Sequence, residues 1–129
     1  MSSIFSKIVA GEIPAYKVAE DDDFLAFLDV FPIARGHTLV IPKKEVDYIL
    51  DVNDEDYRDL WLFAKKVGKK VEKAIPCKRM GIAVIGLEVA HAHIHLVPIN
   101  EIGDLSFARP KLKFTEDEME DIAESIRQA

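Results

Sequence analysis

Three of the chain's four histidines fall within five residues, His91-Ala92-His93-Ile94-His95, and the next two residues, Leu96-Val97, are apolar. Side chains alternate across an extended strand, so residues two apart share a face. Read as a strand, this run sets Ala92, Ile94 and Leu96 on one side as core and only imidazole on the other. Successive rings would start roughly 6.6 Å apart at the strand's rise. The run therefore asks for a sheet with an apolar face and, on its reverse, a row of titratable rings.

The rest of the chain supplies partners for such a strand. Ser2 or Ser3 is positioned to cap a short helix from Ile4 to Val9, closed by Gly11 and Pro14. Strands are expected over Ala15–Ala19 and Phe24–Leu28, with Glu20-Asp21-Asp22-Asp23 as the hairpin turn. A loop through Pro32 and Arg35-Gly36 leads into a third strand, His37–Ile41, bounded by Pro42. Asn53 followed by Asp54, Glu55 and Asp56 marks a helix start, and Leu60, Ala64, Val67, Val71 and Ala74 recur at helical spacing. Met80–Leu87 and Val89–Ile99, interrupted only by Gly86, read as neighbouring strands joined by a tight turn. Thr115-Glu116-Asp117-Glu118 matches a capping box, opening a helix that carries Met119, Ile122, Ala123 and Ile126. This order predicts an α+β fold, and 129 residues suit one domain spanning 1–129.

Charge narrows the partners. The net charge is −6 and the lysines are dispersed, so no basic stripe exists to neutralise a long nucleic acid. Cys77 is the sole cysteine, which excludes an intramolecular disulfide and suits a reducing compartment. The first residues lack the apolar core of a signal peptide, and no apolar run approaches the ~18 residues of a membrane span. The expectation is a cytoplasmic protein without membrane contact.

Imidazole is suited to chemistry at phosphorus. Its unperturbed pKa of ~6.5 lets neutral and charged forms coexist near neutrality. A neutral ring whose one nitrogen is held as N–H aims the other lone pair outward as a nucleophile. Neighbouring rings resist joint protonation, and a bound phosphate reverses that penalty. The competing reading is a His₃ zinc site, although no cysteine or carboxylate stands at ligand spacing. His37 gains meaning only if the fold brings it to the other three.

With these residues in place, the chain resembles the histidine-triad (HIT) family, whose signature is His-x-His-x-His followed by two apolar residues. The likeness also covers Ile4-Phe5-Ser6-Lys7-Ile8, Glu12-Ile13-Pro14, Leu25–Val30 and Gly36–Lys44, running in consistent order from about Ile4 to Pro98. The segment 100–129 lies outside it. The resemblance implies a five-stranded antiparallel sheet with flanking helices and often a homodimer. It implies hydrolysis or transfer at the α-phosphate of a small nucleotide through a nucleotidyl-histidine intermediate, with no metal or cofactor. His93 corresponds to the nucleophile, His95 and His37 to phosphate contacts, and the His91 carbonyl to the group that orients His93. Asp29 corresponds to the ribose-binding acid, while Ile4, Phe5, Phe27 and Val30 correspond to the base pocket.

The loop before the triad departs from that pattern. Many relatives grip phosphate with a Gly-Gln-Ser/Thr-Val run, where this chain has Gly86-Leu87-Glu88-Val89. Glu88 is expected either to point away from the site or to donate a proton to the leaving group. The leading expectation is a hydrolase of a nucleoside phosphoramidate or dinucleoside polyphosphate. The alternatives are a nucleotide-binding or sensing protein with little catalysis, and a metal-dependent hydrolase.

Overall fold

The computed structural model describes residues 2–129. Five strands form an antiparallel sheet in the order β1-β2-β3-β5-β4: β1 Lys17–Glu20, β2 Phe24–Leu28, β3 Thr38–Pro42, β4 Arg79–Ala83 and β5 Ile94–Ile99. Three helices flank it: α1 Ile4–Val9, α2 Asp54–Ala74 and α3 Glu116–Gln128. Among the described residues, no helix is long and apolar enough to cross a membrane.

The caps form as the sequence requires. Ser3, Asn53 and Thr115 each accept a hydrogen bond from the amide three residues on, and the Glu118 carboxylate accepts one from the Thr115 amide in return. Asp21 closes the β1–β2 turn by accepting from the amides of Asp23 and Phe24 at 2.8 and 2.7 Å.

Alternation decides what each strand packs against. Phe24, Ala26, Leu28 and Val40 face α2 and α3, joining Ile94, Leu96, Leu60, Val67, Val71, Ile122 and Ile126 in the main core. Leu25, Phe27, Leu39 and Ile41 point the opposite way and pack with Phe5 and Ile8 of α1. Both faces of β2 and β3 are thus covered, which is why every residue of those strands is buried. Each large side chain so buried contributes about 1.5–3 kcal/mol. The edge strand β4 is the least covered, with Ile82 half exposed.

Two expectations need correction. The last two strands are shorter than the apolar runs predicted, and a loop over residues 84–93 replaces a tight turn. Pairing stops at Ala83↔His95. Beyond it the backbone donors go elsewhere: Ala92 N–H to the Val46 carbonyl at 2.7 Å and His91 N–H to the Val89 carbonyl at 2.9 Å. Only His95 of the triad therefore lies within a strand, and the first hairpin strand begins at Lys17 rather than Ala15.

Candidate active site

Strand parity brings the distant histidine to the others. Leu39 lies opposite His95 in the β3–β5 ladder, and His37 is two residues before Leu39, so both rings emerge on the α1 face. Their nitrogens meet diagonally, with His37 Nε2 and His95 Nδ1 3.0 Å apart. Asp29 Oδ2 stands 3.6 Å from the same His37 nitrogen.

The protons in this pair can be placed. The Ile33 backbone N–H donates to His37 Nδ1 at 3.1 Å, so that nitrogen is an acceptor. Neutral His37 must then carry its proton on Nε2 and donate it to His95 Nδ1. His95 in turn holds its proton on Nε2, the nitrogen left for a ligand. Burial, foremost, holds both rings neutral: it pushes His37 down to about 4 and His95 to about 3. The charge of Lys111 adds to both effects, and the neighbouring rings deepen them.

His93 is oriented by the chain just before it. Its Nδ1 donates to the His91 carbonyl at 2.7 Å, leaving Nε2 with a free lone pair. Its ring centroid lies 4.9 Å from that of His95 and 5.1 Å from that of Phe5, which meets it edge-on. His91 itself does not stand in the row that a continuous strand would have made. Its ring is fully buried, with Nε2 2.7 Å from the Pro42 carbonyl and Nδ1 2.8 Å from Ser3 Oγ. The structure thus groups the rings of His93, His95 and His37, with His91 as the strut beneath.

That strut reaches α1. Glu45 accepts from the Ser3 backbone amide at 2.6 Å and from the Ser6 hydroxyl at 2.7 Å, and Ser6 Oγ lies 3.3 Å from His91 Nδ1. The Ser3 amide, then the Ser6 hydroxyl, hold the exposed Glu45 carboxyl down to about 2. Ser3, Ser6 and Glu45 were not identifiable as site residues from the sequence. Ser3 announced itself only as a helix cap, and nothing links Glu45 to a histidine so far along the chain.

The expected nucleotide-binding residues divide. Phe5 and Phe27 are buried beside the histidines with ring centroids 5.4 Å apart, whereas Ile4 and Val30 are exposed, at 50% and 57%. Asp29 is partly exposed and also caps its own loop, accepting from the Phe31 amide at 2.8 Å. Glu88 stands exposed in the 84–93 loop and makes no hydrogen bond with any of the four histidines. Phe107, from the segment outside the resemblance, lies edge-on to His95 at 4.6 Å and to His37 at 5.9 Å.

Asp29, His37 and His95 bring potential metal ligands within 4.8 Å of one another. The donor set fits a cation poorly. His37 Nε2 bears the proton that it gives to His95, and freeing that lone pair would require breaking the Ile33 contact or ionising the ring.

A family model described as the HIT domain matches residues 10–102. The chain is 36% identical to an adenosine 5'-monophosphoramidase of Schizosaccharomyces pombe, over 98% of this chain and 96% of that protein. A Hit-like protein of Bartonella henselae superposes with a TM-score of 0.86 at 32% identity, covering 98% of this chain and 95% of that one. A zinc-bound histidine triad family protein of Mycobacterium smegmatis gives 0.83 at 30% identity, over 99% and 92%.

Proposed function

This chain belongs to the HIT family, and from that premise we propose that it is a hydrolase acting at the α-phosphate of a small nucleotide, with His93 as nucleophile. The carrying observation is the 2.7 Å bond from His93 Nδ1 to the His91 carbonyl, made beside the His37–His95 pair. In this reading His93 Nε2 attacks phosphorus and the bond to the leaving group breaks. An amine departs neutral once the phosphoramidate nitrogen has taken a proton from solvent, which the hydrolysing water gives back in the second step. Water then attacks the nucleotidyl-histidine, returning the electron pair to Nε2 and releasing the nucleoside monophosphate. His95 Nε2–H is a fixed donor for the non-bridging oxygen on which charge gathers.

Asp29 would hold the ribose hydroxyls, and Phe5, Phe27, Ile4 and Val30 would flank the base. The relative from S. pombe, named an adenosine 5'-monophosphoramidase, supports an adenosine phosphoramidate as first substrate. The test is turnover of that compound by wild type and His93→Ala, with alkaline quenching to trap an acid-labile adduct on His93. Turnover that survives His93→Ala would sink the proposal. Glu88 keeps a place only if Glu88→Gln alters the rate or its pH profile.

One observation favours a second reading, a nucleotide sensor with little catalysis. Leu87 and Glu88, where many relatives carry phosphate-gripping groups, are exposed, Leu87 at 88%. Under that reading the wild type binds AMP and turns over nothing.

We also propose that a second copy covers β4 and the adjoining face of α2. β4 ends the sheet with an unpaired edge. A groove of about 880 Å³ beside it is lined by Tyr57, Trp61, Leu62, Gly68, Met80 and Ile82. Trp61 Nε1 is buried there without a hydrogen-bond partner. Sedimentation should show a dimer that Ile82→Lys dissociates; a monomeric wild type removes the proposal.

A further inference from the structure

His91 lends only its backbone carbonyl to His93, and its fully buried ring takes no part in the chemistry proposed there. The protons around that ring can be placed one by one. The Pro42 carbonyl, 2.7 Å from His91 Nε2, can only accept, so Nε2 carries the proton and Nδ1 presents a lone pair. Two hydroxyls stand before that lone pair, Ser3 Oγ at 2.8 Å and Ser6 Oγ at 3.3 Å. Ser6 spends its one hydroxyl proton on the Glu45 carboxylate, at 2.7 Å. The hydroxyl that donates to His91 Nδ1 is therefore that of Ser3.

A serine hydroxyl thus meets a neutral imidazole whose far nitrogen is anchored by a third group, the order that activates a serine nucleophile. Capping α1 uses Ser3 Oγ only as an acceptor, from the Ser6 amide at 3.0 Å, and leaves the hydroxyl proton to His91. Burial, foremost, holds the His91 ring below the ordinary histidine value, and the neighbouring His93 adds to that effect, so the base is free at neutral pH. The Pro42 carbonyl and the Glu45 carboxylate pull the other way, which favours the imidazolium once it has taken the Ser3 proton. Ser3 is only partly buried and Glu45 is exposed, so solvent reaches the hydroxyl while the base behind it is sealed.

We infer that Ser3 is a second nucleophile of this chain, with His91 as its general base, and that it takes an acyl group from small uncharged carboxylic esters. Ser3 Oγ forms a bond to the carbonyl carbon while its proton passes to His91 Nδ1. The tetrahedral adduct collapses, and the bond to the leaving oxygen breaks. That oxygen keeps the electron pair and takes the proton from His91. Water gives a proton to the same nitrogen as it attacks the acyl-serine, and Ser3 Oγ takes that proton back as the acid departs. Glu45 sets the charge of the substrate: its carboxylate, 2.6 Å from the Ser3 amide nitrogen, opposes an anionic donor. The site works without His93 and does not rest on the nucleotide reading.

The experiment treats wild type and His93→Ala with p-nitrophenyl acetate or acetyl phosphate, quenches in acid, and maps acetyl groups by peptide mass spectrometry. Hydroxylamine removes an acetyl ester of serine and spares acetyl-lysine. With p-nitrophenyl acetate both proteins should acquire a hydroxylamine-labile acetyl on Ser3, at least ~100-fold faster than on exposed Ser2 of the same peptide, the lower end of general-base assistance. The rate in wild type should rise with pH through a midpoint below ~6.5 and level off above it. His91→Gln keeps a donor for the Pro42 carbonyl but has no base, and should bring Ser3 down to the rate of Ser2. Acetyl phosphate, an anion, should show little preference for Ser3 until Glu45→Gln removes the charge and keeps the acceptor. Equal labelling of Ser2 and Ser3 in wild type overturns the inference, as does a Ser3 rate that His91→Gln leaves unchanged. A Ser3 acetyl found in wild type but missing from His93→Ala also overturns it, since the group would then have come from His93.

Discussion

His37 Nε2 lies 3.0 Å from His95 Nδ1, and the Ile33 amide on the far side of His37 decides which ring owns the proton between them. The pair works as a one-way relay that presents an N–H from His95. Replacing His37 with Phe removes the donor and also strands the Ile33 amide in a buried site. The expected loss in kcat/KM is roughly tenfold to a hundredfold, the range for groups that orient a functional histidine. Urea denaturation should show a loss of about 1–3 kcal/mol for the unpaired amide. His37→Gln, whose amide can both accept and donate, should recover part of each. Equal rates for the Phe variant and wild type would count against the relay.

The same burial makes stability depend on pH in a definite direction. His37 titrates near 4 in the folded chain, whereas an unfolded histidine titrates near ~6.5. Between those values the unfolded chain binds a proton that the folded chain refuses, so stability is full above the unfolded pKa and falls as pH drops toward 4. His37 alone is worth on the order of 3 kcal/mol across that window. His95, lowered to about 3, acts in the same sense. Urea midpoints from pH 7 to pH 5, above the carboxylate range, should therefore decline in wild type and decline less in His37→Phe. Parallel lines would refute the assignment.

Gly36 sets the approach to His37. Its φ is +85°, in the left-handed region, and an added Cβ would stand 2.8 Å from Ile75 Cγ1. Its carbonyl also accepts from the Thr38 hydroxyl at 2.8 Å, at the first residue of β3. Gly36→Ala should destabilise the chain by about 1–3 kcal/mol through backbone strain and the clash with Ile75. Because the residue displaced is the neighbour of His37, activity measured well below the unfolding temperature should fall as well. A fully active, destabilised variant would show that the strain is absorbed before it reaches the ring.

What the sequence revealed and what it hid have the same origin. Local rules were sufficient for the caps at Asn53 and Thr115 and for the Asp21 turn, because each depends on neighbours in the chain, whereas the two-sided burial of β2 and β3 is made by helices distant in sequence. The apolar face of the triad was also legible, as Ala92, Ile94 and Leu96 are all core. The limits of the last two strands were not, since the run from Val84 to Val89 is apolar but for Gly86 and Glu88 whether or not a partner strand continues. What ends the pairing is a contact far along the chain, the Ala92 amide reaching the Val46 carbonyl. The ring of His91 followed that backbone into the interior. Phe107 and Lys111 were invisible for a related reason: no periodicity marks a segment that reaches the site as irregular chain.

Glu45 tests how far the support for His93 extends. Its carboxylate ties the Ser3 amide and the Ser6 hydroxyl, the hydroxyls of Ser3 and Ser6 lie against His91 Nδ1, and the His91 carbonyl orients His93, the proposed nucleophile. Held down to about 2, the Glu45 carboxylate stays ionised throughout the neutral range, so this strut does not switch with pH there. Glu45→Ala releases the first turn of α1, which also carries the Phe5 ring packed on His93. The expected result is a drop in kcat of about tenfold, at the lower end for second-layer orienting groups. KM for the nucleotide should rise as well, because the same turn carries Ile4 and Phe5, which are proposed to flank the base. Amide exchange over Ile4–Val9 should quicken in parallel. Faster exchange with an unaltered kcat would separate α1 from the nucleophile and leave the His91 carbonyl as sufficient by itself.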